Sequence, residues 1–227
     1  MGSHEVVRLV VAIMAKAPRA GEVKSRLCPP LSTEEAAELY RCFLLDKIEQ
    51  VRMLKEASPA IAYTPAEGRI FFEEWAPGFV LVLQRGTDLG TRLANSFDQL
   101  FAKGYGGALV IDTDTPTLPA GFLQQALDLI ATQQIDVVLG PSEDGGYYLI
   151  GLRTLHRELF EEMAWSTAQV LPETIRRAEA KGLKIACLPP WFDIDTPDDL
   201  ERLKVSLVRM EGIAPSHTRR FFMERAG

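Results

Sequence analysis

Three cysteines, three histidines and no Cys-x-x-Cys pair are all that this 227-residue chain offers to a soft metal or a disulfide framework. The scattered, odd set of Cys28, Cys42 and Cys187 argues for a reducing compartment, so the expected location is cytoplasmic. With only His4, His156 and His217, a histidine-rich zinc site is not expected. Excess positive charge is lacking too: 25 Lys and Arg stand against 31 Asp and Glu, a net charge of −6. A nucleic acid is therefore not an expected partner, although small anions can still be held by a local basic pocket. No apolar run is long enough for a membrane span, since Val6 to Met14 is short and carries Arg8. Ala15-Lys16-Ala17 after it resembles a signal-cleavage site, but no positive segment precedes the run. Two phosphate signatures are also missing, the Gly-x-x-x-x-Gly-Lys-Ser/Thr loop and the Gly-x-Gly-x-x-Gly turn.

What remains is a chain long enough to bury roughly 70% of its unfolded surface in a core. Met1 to His4 reads as a cloning remnant. Val6 to Met14 is apolar almost throughout, as a central strand covered on both faces should be. A Pro/Gly/basic loop, 15–30, leads to Ser32-Thr33-Glu34-Glu35, where Ser32 and Glu35 form a capping-box pattern for a helix continued by Tyr40, Phe43, Leu44, Ile48 and Val51. Strands are expected at Ala60–Tyr63, Phe79–Leu83, Ala108–Asp112, Val137–Leu139, Tyr147–Leu152 and Lys184–Leu188. Helices are expected around Ile70–Trp75, from Asp88, from Pro119, over Ser166–Lys181 and over Pro197–Met210. This alternation predicts an α/β fold, a mainly parallel central sheet with helices on both faces, in one domain of residues 1–227. The tail 211–227, with Arg219, Arg220, Phe221 and Phe222, is left open between docking on the body, an oligomer contact and disorder.

Ligands in such sheets sit beyond the carboxyl ends of the strands. The most informative stretch is Ala108-Leu109-Val110-Ile111-Asp112-Thr113-Asp114-Thr115-Pro116, an apolar strand ending in acid. Residues i and i+2 of an extended chain point the same way about 7 Å apart, so Asp112 and Asp114 are expected to converge on Mg²⁺ or Mn²⁺. The plain alternative is a pair of carboxylates serving the following turn. A haloacid-dehalogenase-like phosphatase, which needs Asp-x-Asp-x-Thr, is disfavoured because Pro116 stands where the threonine belongs.

Four other clusters follow strands. Lys16, Gly21, Lys24 and Arg26 in the first loop suit a di- or triphosphate, or are simply a solvated basic loop. Arg85, Gly86 and Asp88 suit a ligand contact, or only a turn and a helix cap. Glu143, Asp144, Gly145 and Gly146 precede a strand, where a hairpin turn alone explains the glycines. In Asp193-Ile194-Asp195-Thr196-Pro197, a cap and a first-turn proline explain the Thr-Pro but leave Asp195 unexplained.

Taken jointly, and with Trp165-Ser166-Thr167, these stretches resemble the nucleotide-diphospho-sugar transferase superfamily of GT-A fold. Within it they are similar to a bacterial glycosyltransferase-like family of mostly unknown substrate. The similarity runs from about residue 8 to 205 and reaches phospholactate and molybdenum-cofactor guanylyltransferases and sugar-acid cytidylyltransferases. It implies nucleotide binding by Lys16, Gly21, Lys24, Arg26, Arg85, Gly86 and Asp88, and substrate binding by Glu143, Asp144, Gly145, Gly146, Trp165 and Ser166. Asp114 and Asp195 become metal ligands, with Asp112 beside them where the close family usually has glycine. Lys24 and Asp114 become catalytic. The expected function is metal-dependent transfer of a glycosyl group from a nucleotide-sugar to a small acceptor. The alternative is nucleotidyl transfer from an NTP to a phosphorylated small molecule, followed by a nucleotide-sugar binder without catalysis. The oligomeric state stays open.

Overall fold

The computed structural model of the chain describes residues 7–212 and 215–225. Met1 to His4 and Val6 lie outside the described residues. The elements are β1 (Leu9–Lys16), α1 (Thr33–Arg52), β2 (Ala57–Thr64), α2 (Arg69–Trp75), β3 (Val80–Leu83), α3 (Leu89–Phe101), β4 (Gly107–Ile111), α4 (Ala120–Ala131), β5 (Val137–Pro141), β6 (Tyr147–Leu152), α5 (Val170–Ala180), β7 (Ile185–Cys187), α6 (Pro197–Arg209) and α7 (Ser216–Arg225). The strands form one sheet in the order β3-β2-β1-β4-β6-β5-β7. All pairings are parallel except those of β6, which runs antiparallel to both β4 and β5.

The near-continuous apolar character of β1 follows from its place in the middle. Leu9, Val11, Ile13 and Ala15 face one core layer, and Val10 and Ala12 face the other. The first layer is completed by Leu44, Ile48 and Val51 of α1 and by Leu123, Leu127 and Ile130 of α4. Leu93, Phe97 and Leu100 of α3 and Ala178 of α5 complete the second. Burying each such large aliphatic or aromatic side chain contributes about 1.5–3 kcal/mol.

Local signals set the helix ends. Ser32 accepts from the Glu35 N–H at 3.2 Å while the Glu35 carboxylate accepts from the Ser32 N–H at 2.7 Å, the reciprocal cap expected at α1. Thr196 and Asp199 repeat this reciprocal cap at α6, and Asp88 caps α3 by accepting from the Thr91 N–H. Several boundaries differ from expectation, three of them for reasons visible in local contacts. β1 extends to Lys16 because that residue pairs with Thr64 of β2 and gives its N–H to the Tyr40 hydroxyl. Pro119 stands just before α4, at its cap. α5 starts at Val170 instead of Ser166, because Ser166 has φ 62° and the Thr167 hydroxyl turns back to the Ala164 carbonyl. The chain around Ser166 is thus a loop.

The tail forms α7 and docks. Phe221 joins Leu39 and Phe43 of α1 and Leu203 and Leu207 of α6 in a third apolar cluster. The carboxylate of Asp46, on α1, accepts from the N–H groups of His217 (2.9 Å) and Thr218 (2.8 Å) and from the Thr218 hydroxyl (2.5 Å). An acid on one helix therefore supplies the N-terminal cap of another. Asp46→Ala is expected to lower stability by about 1–2 kcal/mol, read as a shift in the urea midpoint. An unchanged midpoint would mean that α7 contributes nothing to the folded state through this contact.

Candidate active site

The connection after β1 leaves through α1 on one face of the sheet, and the connection into β4 arrives through α3 on the other. Between the carboxyl ends of β1 and β4 the loops therefore part, leaving the crevice in which open α/β sheets take ligands. Three chain segments meet there. The loop after β1 is anchored by Val23, buried against Ala37 and Tyr40 of α1. The turn after β4 carries Asp112 and Asp114. The segment 191–195 runs along the edge of the β5–β6 hairpin, with Trp191 N–H on the Pro141 carbonyl and Glu143 N–H on the Trp191 carbonyl. A further backbone bond, Ile194 N–H to the Asp114 carbonyl at 2.9 Å, stitches this segment to the turn after β4. Residues 80 positions apart in sequence are thereby held side by side.

At their meeting point lies the ammonium of Lys24. It is 2.7 Å from Asp114 Oδ1, 2.8 Å from Asp195 Oδ1 and 2.6 Å from the Ile194 carbonyl oxygen. Lys24 has φ 48°, the left-handed region that an L-residue rarely adopts. Its side chain is only 4% exposed, whereas that of Lys16 is 42% exposed. Burial alone would push the Lys24 ammonium toward deprotonation, but Asp114 and Asp195 outweigh it and raise its pKa above the ordinary lysine range.

The turn after β4 is fixed from beneath. Tyr40 Oη receives the Lys16 N–H at 2.9 Å and lies 3.2 Å from the Thr113 hydroxyl, linking the first loop to this turn. Burial, then the negative charge of Asp114, pushes the Tyr40 phenol up to about 12, so it stays neutral. Asp112 Oδ1 accepts from the Thr115 hydroxyl at 2.7 Å, and the wholly buried Lys47 of α1 donates to the Thr115 carbonyl at 2.9 Å. Burial raises the Asp112 carboxyl, against the pull of Lys47, and lowers the Lys47 ammonium.

Asp114 stands between two cavities of opposite character. One, of about 370 Å³, is lined by Lys16, Lys24, Arg26 and Arg92, with Glu22, Asp114 and Asp195 as its acids. The other, of about 210 Å³, has Asp112, Asp114, Asp144 and Asp193 in its wall and, among the described residues, no lysine or arginine. Ser142, Ser166 and Trp165 complete its polar and aromatic lining. Burial and then Asp144 raise the Asp193 carboxyl, while the Ser142 hydroxyl donates to it at 3.1 Å. Trp165 reaches this wall by packing on the N-terminus of α3 at Gly90. A Cβ at Gly90 would fall 2.3 Å from the Phe160 carbonyl oxygen and 2.8 Å from Trp165 Nε1.

The expected residues divide accordingly. Lys16, Lys24 and Arg26 line the basic cavity with Asp114 and Asp195, and Asp144, Gly146, Trp165 and Ser166 line the acidic one with Asp112. Asp112 is not among the oxygens around Lys24, because β4 ends at Ile111 and the Thr115 contact turns its carboxylate aside. Asp88 gives one oxygen to the Thr91 N–H and the other to its hydroxyl, the work of a cap. Glu143 pairs with Arg202 of α6 at 2.6 and 2.9 Å, and Gly145 packs on the backbone of Ala168. Gly21, Arg85 and Gly86 are exposed and stand outside both cavity walls. Several wall residues were given no role from the sequence, among them Arg92 and Asp193, the latter noted there only as one of an alternating acid pair. Arg92 lies four positions after the cap Asp88, a helical step that brings it into the crevice, and Asp193 alternates with Asp195.

Comparison with known proteins agrees with this architecture. No curated protein sequence matches the chain. A crystal structure from Desulfovibrio desulfuricans, provisionally assigned as a nucleotide-diphospho-sugar transferase, superimposes with a TM-score of 0.88 at 31% identity, covering 96% of this chain and 95% of that one. A cytidylyltransferase from Leptospira borgpetersenii matches with a TM-score of 0.59 at 14% identity over 97% of this chain and 95% of that one. Molybdopterin-guanine dinucleotide biosynthesis protein A from Archaeoglobus fulgidus matches with 0.57 at 12% identity over 88% and 99%. These two more distant likenesses show the fold. Residues 47–167 match the family described as an uncharacterized protein conserved in bacteria, DUF2064. The chain belongs to that family and has the nucleotide-diphospho-sugar transferase fold.

Proposed function

We propose that this protein is a metal-dependent transferase that moves a glycosyl group from a nucleotide-sugar to a hydroxyl of a small acceptor. The observation that carries this reading is the division of charge across Asp114. Four cations line the cavity on one side and suit the diphosphate of a donor. On the other side four carboxylates line a wall that, among the described residues, no lysine or arginine enters, Asp114 meeting Lys24 from the basic side, and they suit the hydroxyls of a sugar or polyol. A phosphorylated acceptor, which nucleotidyl transfer requires, would meet repulsion there. One unit charge about 5 Å from a like charge costs about 3 kcal/mol at an effective dielectric constant near 20, roughly a hundredfold in affinity.

The donor set supports a divalent ion. Asp114 Oδ1, Asp195 Oδ1 and the Ile194 carbonyl are three hard oxygens directed at one point, which suits Mg²⁺ or Mn²⁺ better than a softer metal. The two carboxylates would hold the ion, and bound there it would act as a Lewis acid that stabilises the departing diphosphate. The chain's own groups do the rest. Lys16, Arg26 and Arg92 bind and orient the phosphates. The acidic cavity fixes the acceptor beside Asp114. The acceptor oxygen forms a bond to the anomeric carbon as the bond from that carbon to the diphosphate oxygen breaks, and a carboxylate of this cavity takes the hydroxyl proton. Nucleoside diphosphate leaves.

A thermal-shift panel of nucleotide-sugars and nucleoside triphosphates, each with and without Mg²⁺ or Mn²⁺, tests the donor class. A matched ligand at 100 times its Kd adds about 2.7 kcal/mol, a Tm rise of roughly 5–10 °C for a chain of this size. Nucleotide-sugars are expected to give the larger shift, and incubation with polyol acceptors is expected to release nucleoside diphosphate. Release of pyrophosphate from a triphosphate with a phosphorylated acceptor would overturn glycosyl transfer. Tight binding without donor consumption across a broad acceptor panel would make the protein a binder, and release of inorganic phosphate without an acceptor would make it a phosphatase. Asp114→Asn is expected to lower turnover at least about a hundredfold, the scale lost when a single transition-state contact is removed. Asp112→Asn, outside the Lys24 contacts, is expected to keep donor affinity within about twofold while lowering kcat with saturating donor. A donor affinity that falls as far as in Asp114→Asn would move Asp112 to the donor side.

A further inference from the structure

We propose that Lys24 is the resting occupant of the divalent-cation position, so that the metal enters only together with a diphosphate that draws the ammonium away. This inference rests on the reading of Asp114 and Asp195 as the cation site.

The argument begins with the geometry of one nitrogen. Lys24 Nζ has three oxygen neighbours at 2.6–2.8 Å, two of them carboxylates, and those are the atoms that would ligate the ion. A divalent cation cannot share them with the ammonium at such range, because the two positive centres would stand nearly in contact with little solvent between them. One must leave. The ammonium is 4% exposed and comes from a backbone held at φ 48°, so its side chain is delivered to this place by the loop itself. Its exit needs another acceptor, since removing a buried ammonium from its carboxylates without a replacement is strongly unfavourable. Among the described residues the other acid lining the same cavity is Glu22, whose carboxylate lies 3.7 Å from Lys16 Nζ. Diphosphate oxygens are what the basic cavity is equipped to receive, and they offer Lys24 an exchange of one anion for another. Charge favours the exchange as a whole. The two carboxylates and Lys24 sum to −1, and adding a divalent ion with a diphosphate exchanges partners without stranding any charge.

Mn²⁺ binding, followed by the loss of the free-ion electron paramagnetic resonance signal, tests this without an activity assay. The unmodified protein alone is expected to bind Mn²⁺ at least tenfold more weakly than the same protein saturated with a nucleoside diphosphate, tested with guanosine, uridine and cytidine diphosphates against controls without protein. Lys24→Met is expected to bind one Mn²⁺ without any nucleotide, at least tenfold tighter than the unmodified protein, and Lys24→Met combined with Asp195→Asn is expected to lose that site. If the unmodified protein alone binds one Mn²⁺ as tightly as it does with nucleotide, and Asp195→Asn removes that binding, the placeholder role is overturned while the metal site stands. If neither protein takes up Mn²⁺ at this position under any condition, the metal site itself fails. Should Lys24→Met not fold, Lys24→Gln replaces it, with the same at least tenfold tighter binding of Mn²⁺ expected without nucleotide, and binding no tighter than in the unmodified protein would overturn the placeholder role.

Discussion

The contact of Lys24 with Asp114 and Asp195 ties together the three segments from which the crevice is built. Each segment supplies one charge to the contact: a basic loop in a left-handed turn, the turn beyond β4 through Asp114, and the run before α6 through Asp195. Backbone bonds, such as that from Ile194 to Asp114, bring the segments close, and the buried ammonium then balances what proximity alone would make repulsive. Two carboxylates held this close repel each other unless some cation stands between them. Lys24 is the cation that fills this place.

Much of the fold was legible because its signals are local. Ser32 with Glu35, Asp88, and Thr196 with Pro197 announced helix starts by chemistry that acts within four residues, and each is used as a cap. The unbroken apolar run of β1 announced a strand covered twice. Harder to read was anything resting on a distant partner. Nothing near Tyr147 announces that β6 is reversed in the sheet, since direction is set by what a strand pairs with. The start of α5 was misplaced because Ser166 has the composition of a cap but sits in a left-handed turn.

The site was legible in its inventory and less so in its arrangement. Lys16, Lys24, Arg26, Asp114 and Asp195 were named from the chain and meet in one cavity. Asp112 and Asp114 were expected to act as a pair on the strength of period-two alternation, but that alternation ends with β4: both line the acidic cavity, while Asp112 accepts from Thr115 and of the two only Asp114 meets Lys24. Glu143 looked like a substrate acid and is spent on Arg202, a residue 59 positions away whose presence no local pattern could signal. Asp193 was noted as alternating with Asp195 but given no role for the same reason: its cavity exists only once the β5–β6 turn has folded over it.

The reversal of β6 has an architectural effect. In a wholly parallel sheet every strand enters at the rear edge, and the residues before it lie far from the ligand. Because β6 runs backward, the five residues from Ser142 to Gly146 form a short hairpin on the front edge, where their neighbours are loops that follow strands. This bend is secured at both ends by main-chain pairing and needs no crossover helix to support it. Lineages built on this plan can exchange or lengthen that bend without rethreading the layers behind it. Under the proposed function, selectivity for the acceptor can therefore diversify while the grip on the donor stays fixed.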